Sequence, residues 1–264
     1  MSIVGIISKM AAAPTSPVTY ALPIGNAQIP LNLYLGKVLR LRFTYNIYCI
    51  ACQQKIKKSY QNGYCFPCTQ KLAQCDFCIL KPERCHYHLG TCREPAWGDA
   101  HCMIPHWVYL ANASGLKVGI TRKTQVPTRW IDQGATAAMG LFEVPTRLMS
   151  GLVEVILAKT FSDKTNWRKM LQGKAESIDL FTVGERIKPQ ILSQFDSVQL
   201  IENPQICQFD YPVIAYPQKV AALSFDKTPL IEGTLLGIKG QYLIFENGVL
   251  NIRKFTGYEI EAGF

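Results

Sequence analysis

Residues 106–121 have the sequence HWVYLANASGLKVGIT, and this stretch decides the fold in the middle of the chain. Residues 106–111 and 116–121 are short, mainly apolar runs, which is typical of buried strands. Residues 112–115, Asn-Ala-Ser-Gly, are residue types that favour a turn. The stretch therefore predicts a β-hairpin of two antiparallel strands.

The residues after the hairpin extend it into a small α/β core over residues 105–172. Pro127 suits the first turn of a helix, because its fixed φ matches the helical value. Residues 141–144 are apolar and predict a third strand. From Thr146 onward, apolar residues recur at the spacing of one helix face. This spacing predicts a helix that carries Glu154 near the edge of its apolar face.

Two Cys-x2-Cys pairs precede this core. Cys49 and Cys52 form the first pair and Cys65 and Cys68 the second, with twelve residues between them. Each pair places two thiolates on one tight turn, and two such turns complete a tetrahedral site of four sulfur ligands. The spacing predicts a structural Zn2+ site. Free or disulfide-bonded cysteines are the alternative.

A second group of cysteines lies between the first predicted site and the hairpin. Its first two members repeat the Cys-x2-Cys spacing, which favours a second structural Zn2+ ion. The expected ligands are Cys75, Cys78, Cys85 and Cys92. The segment holds more donors than one ion needs, so Cys102, His86, His88 and His101 remain alternative ligands.

Positive charge concentrates in the same segment. The chain has a formal net charge of +9, and residues 37–93 contain ten Lys and Arg residues against two acidic residues. Such a balance indicates an anionic partner, and aromatic residues interleaved with the basic ones could stack on bases. We expect Lys55, Lys57 and Lys58 to contact nucleic acid. A solvated basic face that keeps the metal module soluble is the alternative.

Composition excludes several classes of protein. Because 48% of the 264 residues are hydrophobic and 18% are charged, the chain is not disordered throughout. No apolar run reaches the roughly 18–20 residues of a membrane span, so we expect no membrane partner. The first residues lack a basic region and Lys9 interrupts their apolar stretch, so we expect no signal peptide and a cytoplasmic location. No motif for a small-molecule cofactor is evident.

These segments together predict an α+β fold in four parts. Residues 1–48 form an N-terminal β segment, and residues 49–104 form a cysteine-rich, zinc-ribbon-like module. Residues 105–172 form the α/β core, and residues 173–264 form an α+β C-terminal region with a small β-sheet. In that last region, residues 180–195 predict a helix. Asn247-Gly248 lies between two apolar runs and predicts a hairpin turn.

The order of motifs in residues 106–167 resembles the GIY-YIG nuclease superfamily. The matching features are VYLA at 108–111, KVGIT at 117–121, an arginine at the next helix, a helix with one glutamate, and a late asparagine. The resemblance implies a short mixed sheet flanked by helices. The wider arrangement has a cysteine-rich region before this core and the motifs RWIDQGA and GIKGQYLIF, and it resembles an uncharacterised bacterial family.

The resemblance to the nucleases assigns roles by position. Tyr109 matches the tyrosine that activates or positions the attacking water, and Arg129 matches the arginine that stabilises phosphate charge. Glu154 matches the carboxylate that holds one divalent ion, Mg2+ or Mn2+, and Asn166 matches a supporting polar residue. Phosphodiester hydrolysis needs a water activator, a cation and a metal clamp, so these roles are chemically coherent.

Further residues near these motifs bear on activity. Lys117 and Arg122 are expected to add phosphate contacts. Val118 stands where the second motif of the family normally has a tyrosine.

The first hypothesis about function is a zinc-containing nucleic-acid-binding protein that acts as a metal-dependent endonuclease on DNA or RNA. One alternative is an inactive nucleic-acid or ribonucleoprotein binding module on a nuclease-like scaffold. The other is a zinc-stabilised protein-interaction scaffold.

Overall fold

The computed structural model describes residues 2–161 and 165–264. Within these residues the strands are β1 (Ser2–Ile6), β2 (Ala11–Ala13), β3 (Thr19–Ile24), β4 (Ala27–Pro30), β5 (Val38–Tyr48), β6 (Lys55–Ile56), β7 (His106–Asn112), β8 (Leu116–Arg122), β9 (Ala137–Val144), β10 (Gln199–Leu200), β11 (Cys207–Gln208), β12 (Leu230–Lys239), β13 (Tyr242–Phe245), β14 (Gly248–Asn251) and β15 (Tyr258–Gly263). The α-helices are α1 (Phe66–Lys71), α2 (Pro95–His101), α3 (Thr128–Asp132), α4 (Arg147–Leu157), α5 (Trp167–Leu171) and α6 (Leu180–Leu192). Short 3-10 helices cover Leu31–Tyr34, Ala73–Cys75, Phe77–Ile79, Pro82–Arg84, Tyr87–Leu89, Lys123–Gln125 and Ile252–Phe255.

The chain forms two compact units. The first contains Met1–Gln70, Leu171–Gly173 and Phe209–Phe264, and the second contains Lys71–Met170 and Lys174–Gln208. Both units mix strands and helices, so the predicted α+β class is confirmed at this level. The division between the units falls inside the predicted segment 49–104. The four-part organisation therefore stays a prediction about sequence segments.

The first unit is built around the long strand β5. β5 pairs antiparallel with β12 on one side and with β15 on the other, and the sheet continues through β1 at one end and β13 and β14 at the other. Leu39, Leu41 and Phe43 alternate with exposed residues along β5 and are buried, as a strand with one core face requires. The sheet thus joins the N-terminal segment to the C-terminal region.

The predicted hairpin at Asn247-Gly248 is present. β13 pairs antiparallel with β14, and Gly248 has a φ of +155°, a conformation that favours glycine. A Cβ atom at this position would also lie 2.8 Å from the carbonyl oxygen of Ala221. Glycine is therefore required here by both backbone conformation and space.

A lysine is buried among aromatic rings in the first unit. Lys239, at the end of β12, has an exposed fraction of 1%. Its Nζ atom lies 5.2 Å from the ring centre of Tyr211 and 5.3 Å from that of Tyr216, where the negative faces of the rings attract a cation. Burial lowers the pKa of Lys239 to about 8.

The second unit is built around β7. This strand pairs antiparallel with β8 and β9, so the predicted hairpin and the predicted third strand are both present. β10 and β11 pair with the other edge of β9. The predicted helix after Thr146 is α4, and the Thr146 hydroxyl caps it by accepting from the backbone N–H of Met149 at 3.2 Å.

The helices cover the apolar side of this sheet. α4 and α6 contribute Val153, Leu157 and Ile187 to an apolar core that includes Val108 and Leu141 of the sheet. The predicted helix at 180–195 is α6, which begins after the capping residue Asp179. Among the helices in the described part of the chain, none is long and apolar enough to cross a membrane.

The buried lysine makes the stability of the first unit depend on pH. Unfolded lysine keeps its proton up to its ordinary pKa of 10.5, whereas folded Lys239 releases its proton above about 8. Between these values the unfolded state binds more protons, so the free energy of unfolding rises with pH, by at most about 3 kcal/mol. We expect Lys239→Met to abolish this rise in urea denaturation. The exposed control Lys227→Met should keep it, and equal pH dependence in both variants would contradict the prediction.

Candidate functional site

The first cysteine group forms a compact candidate metal centre. The sulfur atoms of Cys49, Cys52, Cys65 and Cys68 all lie within 4.8 Å of one another. Cys49 directly follows β5, and Cys68 lies on α1. The backbone folds back after the first pair, since the N–H of Gln53 donates to the carbonyl oxygen of Cys49 at 2.9 Å. Four sulfur donors at this separation are close enough to hold one metal ion, consistent with Zn2+.

Backbone N–H groups stabilise thiolates in this centre. The N–H of Cys65 donates to Sγ of Cys49 at 3.2 Å, and the N–H of Cys68 donates to Sγ of Cys65 at 3.4 Å. Burial acts to raise the pKa of Cys49, but backbone N–H donors, including those of Cys52 and Cys65, lower it to about 6. The pKa of Cys68 is raised by its hydrogen bond to Cys65 and by burial. A bound cation would remove this competition between adjacent sulfur atoms.

The second cysteine group lines a pocket in the other unit. The cysteines that line it are Cys78, Cys85, Cys92 and Cys102. Cys75 is buried but is not among the lining residues. Three of the four expected ligands thus meet at this pocket, together with the alternative ligand Cys102. His86 also lines it, and the ligand atoms of Asp76, Cys78 and His86 lie within 4.8 Å of one another.

The thiols of this pocket influence one another. The pKa of Cys78 is raised to about 12, mainly by burial and also by the charges of Asp76, Cys85 and Cys102. Burial also raises the pKa of Cys102, although the guanidinium of Arg147 acts in the opposite direction. Without a metal ion the thiols of Cys78 and Cys102 are therefore neutral at pH 7.

Five polar residues of the second unit lie close together, and we define them as the core cluster: Tyr109, Lys117, Arg129, Gln133 and Glu154. The Tyr109 hydroxyl and Lys117 Nζ both donate to Oε1 of Gln133, each at 2.7 Å. Burial raises the pKa of Tyr109 to about 12, while its hydrogen bond to Arg129 and the charge of Arg129 lower it and the charge of Glu154 raises it. Tyr109, Arg129 and Glu154 are thus brought together.

The local sequence explains the position of Tyr109. Tyr109 of β7 pairs with Gly119 of β8, and a Cβ atom at position 119 would lie 2.6 Å from Cζ and Oη of Tyr109. Only glycine leaves room for the ring to lie over the neighbouring strand. Trp130 of α3 packs edge-on against the ring, with 5.7 Å between ring centres.

Two members of the core cluster differ from their expected setting. Gln133 was not identified from sequence, although it lies within the motif RWIDQGA directly after α3. Lys117 is 3% exposed, so a phosphate would have to reach the core cluster itself to contact it.

Asn166 caps a helix, and Val118 is part of the apolar core. Asn166 is exposed and caps α5, since its Oδ1 accepts from the N–H of Lys169 at 3.1 Å. Its own backbone N–H donates to Oγ of Ser114 at 2.9 Å. Val118 is fully buried in the apolar core, where it provides no hydroxyl group.

Arg122 pairs across the hairpin with His106. His106 is buried, and its Nδ1 lies 2.7 Å from the carbonyl oxygen of Ile104. The pKa of His106 is lowered to about 4, mainly by burial and also by the charges of Arg147 and Arg122, although the hydrogen bond to Ile104 acts in the opposite direction. His106 is therefore neutral at pH 7.

The predicted phosphate-contacting lysines of the first unit are at the surface. Lys55 lies on β6, and Lys55, Lys57 and Lys58 are exposed. Lys58 Nζ lies 5.3 Å from the ring centre of Tyr60. Two other basic residues of the segment are already paired with acidic residues: Arg40 with Glu232, and Arg42 with Glu261.

The first metal centre makes a direct prediction about zinc content. Cys52→Ser removes one of four sulfur ligands at an exposed position, so it should release one zinc ion with little effect on packing. Zinc content after dialysis against a chelator checks this. Cys207→Ser, which changes a cysteine outside both groups, is the control and should retain full zinc. Equal zinc in the two variants would contradict the assignment.

Comparison with known proteins identifies a family. No curated protein and no solved structure matches this sequence. A family model described as "Protein of unknown function (DUF2797)" matches residues 36–260, a range that includes both cysteine groups and the core cluster. The match covers most of the chain, and the chain therefore belongs to the DUF2797 family.

Proposed function

We propose that this chain is a zinc-containing nucleic-acid-binding protein whose phosphate-binding site is the core cluster. The observation that carries the proposal is the convergence of Tyr109, Lys117 and Arg129 at one place. Two cations and a neutral hydroxyl that meet in a poorly solvated site favour an anionic oxygen. Tyr109 and Lys117 already donate to a single oxygen, that of Gln133, and this arrangement also suits a phosphate oxygen.

The exposed residues of the first unit support the same partner. Lys55, Lys57 and Lys58 provide cations that can displace counterions from a nucleic-acid backbone. Tyr60 and Phe66 are exposed beside each other, with 5.8 Å between ring centres, and each offers a face for base stacking. A protein-interaction scaffold would not require this combination of cations and rings.

Cleavage of phosphodiester bonds is the second candidate function, and the position of Glu154 favours it. The charge of this carboxylate acts on both Tyr109 and Arg147, so Glu154 is near both residues. A carboxylate there could hold Mg2+ or Mn2+, which would polarise a phosphate oxygen. Because the pKa of Tyr109 is about 12, its hydroxyl is protonated at pH 7 and would position water or phosphate by donating a hydrogen bond.

Binding is tested by removing the guanidinium. We expect Arg129→Ala to weaken binding to DNA or RNA about tenfold. The slope of log Kd against log salt concentration should also fall by about one unit, because one phosphate contact is lost. Lys159→Ala removes one positive charge from an exposed position after α4 and is the matched control. Fluorescence anisotropy at several salt concentrations measures both. Unchanged binding by zinc-loaded Arg129→Ala would refute the proposed site.

Cleavage is tested by removing the carboxylate. If the protein cleaves nucleic acid with Mg2+ or Mn2+, Glu154→Gln should lower the rate by about 100-fold or more, because the ligand of the catalytic ion is lost. Val155→Ala, on the exposed side of the same helix, should leave the rate unchanged. Binding without cleavage by the wild-type protein would favour the inactive binding module. Absence of binding to a panel of DNA and RNA would favour the interaction scaffold.

A further inference from the structure

We infer that Cys78, Cys85, Cys92 and Cys102 form a second structural zinc site, and that this site holds α4, with Glu154, in its position. The inference goes beyond the proposed nucleic-acid function, since it concerns metal binding and the internal support of a helix. It differs from the sequence expectation by including Cys102 and leaving out Cys75.

The pocket provides the first line of support. These four cysteines line one pocket, whose other lining residues include Trp97 and Gly98. Cys85 and Cys102 are buried, and Cys92 lies against α2, where a Cβ atom on Gly98 would be 3.4 Å from its sulfur. Four thiols are the donor set that Zn2+ prefers in closed structural sites. The four sulfur atoms do not all lie within 4.8 Å of one another, as those of the first centre do, so an ion that binds them would draw them closer together. Cys75 is buried but is not one of the residues that line the pocket.

The Asp76 carboxylate and the His86 imidazole also line the pocket, but both have other partners. Asp76 Oδ2 lies 2.6 Å from Nε of Arg93, and Asp76 Oδ1 accepts from the N–H of Cys78 at 3.1 Å. His86 Nδ1 lies 2.7 Å from Oγ1 of Thr91. A carboxylate that already forms an ion pair and caps a turn is a poor metal ligand. Asp76 is better explained as the residue that orients the turn carrying Cys78.

Charge balance gives a second, independent line of support. Four thiolates and one Zn2+ carry a net charge of −2, which requires nearby cations or hydrogen-bond donors. Arg147 meets this need, because its guanidinium donates to the carbonyl oxygen of Ile79, which directly follows Cys78, and its backbone N–H donates to the carbonyl oxygen of Cys102. Its Nε is buried and has no hydrogen-bond partner among the described residues. The charges of Glu154 and Arg129 also act on this guanidinium, so Arg147 is near the core cluster as well as the pocket.

The segment between the cysteines contacts α4 at three points. Arg147 Nη2 donates to the carbonyl oxygen of Ile79 at 2.7 Å. The backbone N–H of Arg147 donates to the carbonyl oxygen of Cys102 at 2.8 Å. One turn further along α4, a Cβ atom on Gly151 would lie 2.5 Å from the backbone nitrogen of Glu83. The helix that carries Glu154 therefore packs directly on the backbone that the metal would fix.

Metal content tests the ligand set. With the first centre intact, we expect about two zinc ions in the wild-type protein and about one in Cys102→Ser. Cys75→Ser is the matched control, since it also replaces a buried cysteine, and it should retain two. Asp76→Asn should also retain two. Loss of an ion from Cys75→Ser or Asp76→Asn, with retention by Cys102→Ser, would overturn the assignment.

A measurement on the wild-type protein covers the case in which Cys102→Ser does not fold. In cadmium-substituted protein, NMR correlations between the metal and cysteine β-protons identify each sulfur ligand directly. We expect correlations from Cys78, Cys85, Cys92 and Cys102, in addition to those of the first centre. A correlation from Cys75 in place of Cys102, or no second cadmium resonance, would overturn the inference.

Amide hydrogen exchange tests the support of α4. In Cys102→Ser that remains folded, amides of α4 should exchange at least about tenfold faster than in Cys75→Ser, because the backbone beneath the helix is released. Loss of zinc without faster exchange would overturn the positioning role and leave only the metal site. None of these measurements involves nucleic acid, so their failure is distinguishable from failure of the proposed function.

Discussion

The second unit depends on one close approach, in which the ring of Tyr109 lies over the backbone of Gly119. The central strand β7 is paired on both edges, and its side chains project from the two faces of the sheet. A side chain at position 119 would push the ring away, since its Cβ would overlap the ring at 2.6 Å. The absence of a side chain on β8 thus brings the hydroxyl within reach of Gln133 and Arg129. One missing methyl group thereby makes room for the core cluster.

The distribution of charge in the structure differs from what the net charge of +9 suggests. Arg40 and Arg42 are paired with glutamates on the first sheet, and Lys117 and Lys239 are buried. Thiolates bound to zinc would lower the positive charge of the cysteine segment further. The cations on which the proposed recognition depends are therefore a small number of exposed lysines and the half-buried Arg129. The positions of individual basic residues say more about an anionic partner than the net charge of the chain does.

Local structure was predictable from sequence, whereas partners distant in sequence were not. The hairpin of β7 and β8 and the helix α4 follow from short-range patterns that a few residues encode. Leu39, Leu41 and Phe43 alternate with exposed residues along β5, but nothing in this local pattern specifies β12 and β15 as neighbours. Gln133 and Arg147 were missed for the same reason, since both act through residues far away in sequence. Cys102 could not be preferred to Cys75, because spacing alone does not show which sulfur faces a shared pocket.

The composition of the cysteine segment explains why a metal would be needed beside the core cluster. Between residues 71 and 104 the buried residues are small or sulfur-containing, and they are Ala73, Cys75, Pro82, Cys85, Gly98 and Cys102. Three large apolar side chains of the segment, Phe77, Leu80 and Leu89, are exposed, and others such as Ile79 and Trp97 are only half-buried. Such a segment buries too little apolar area to fix its short 3-10 turns by hydrophobic packing. Metal–sulfur bonds can supply the missing constraint, because a closed zinc site contributes folding free energy directly. The α4 helix packs on this segment at Gly151 and also carries Glu154, so the geometry of the core cluster depends on a part of the chain that apolar packing alone does not hold together.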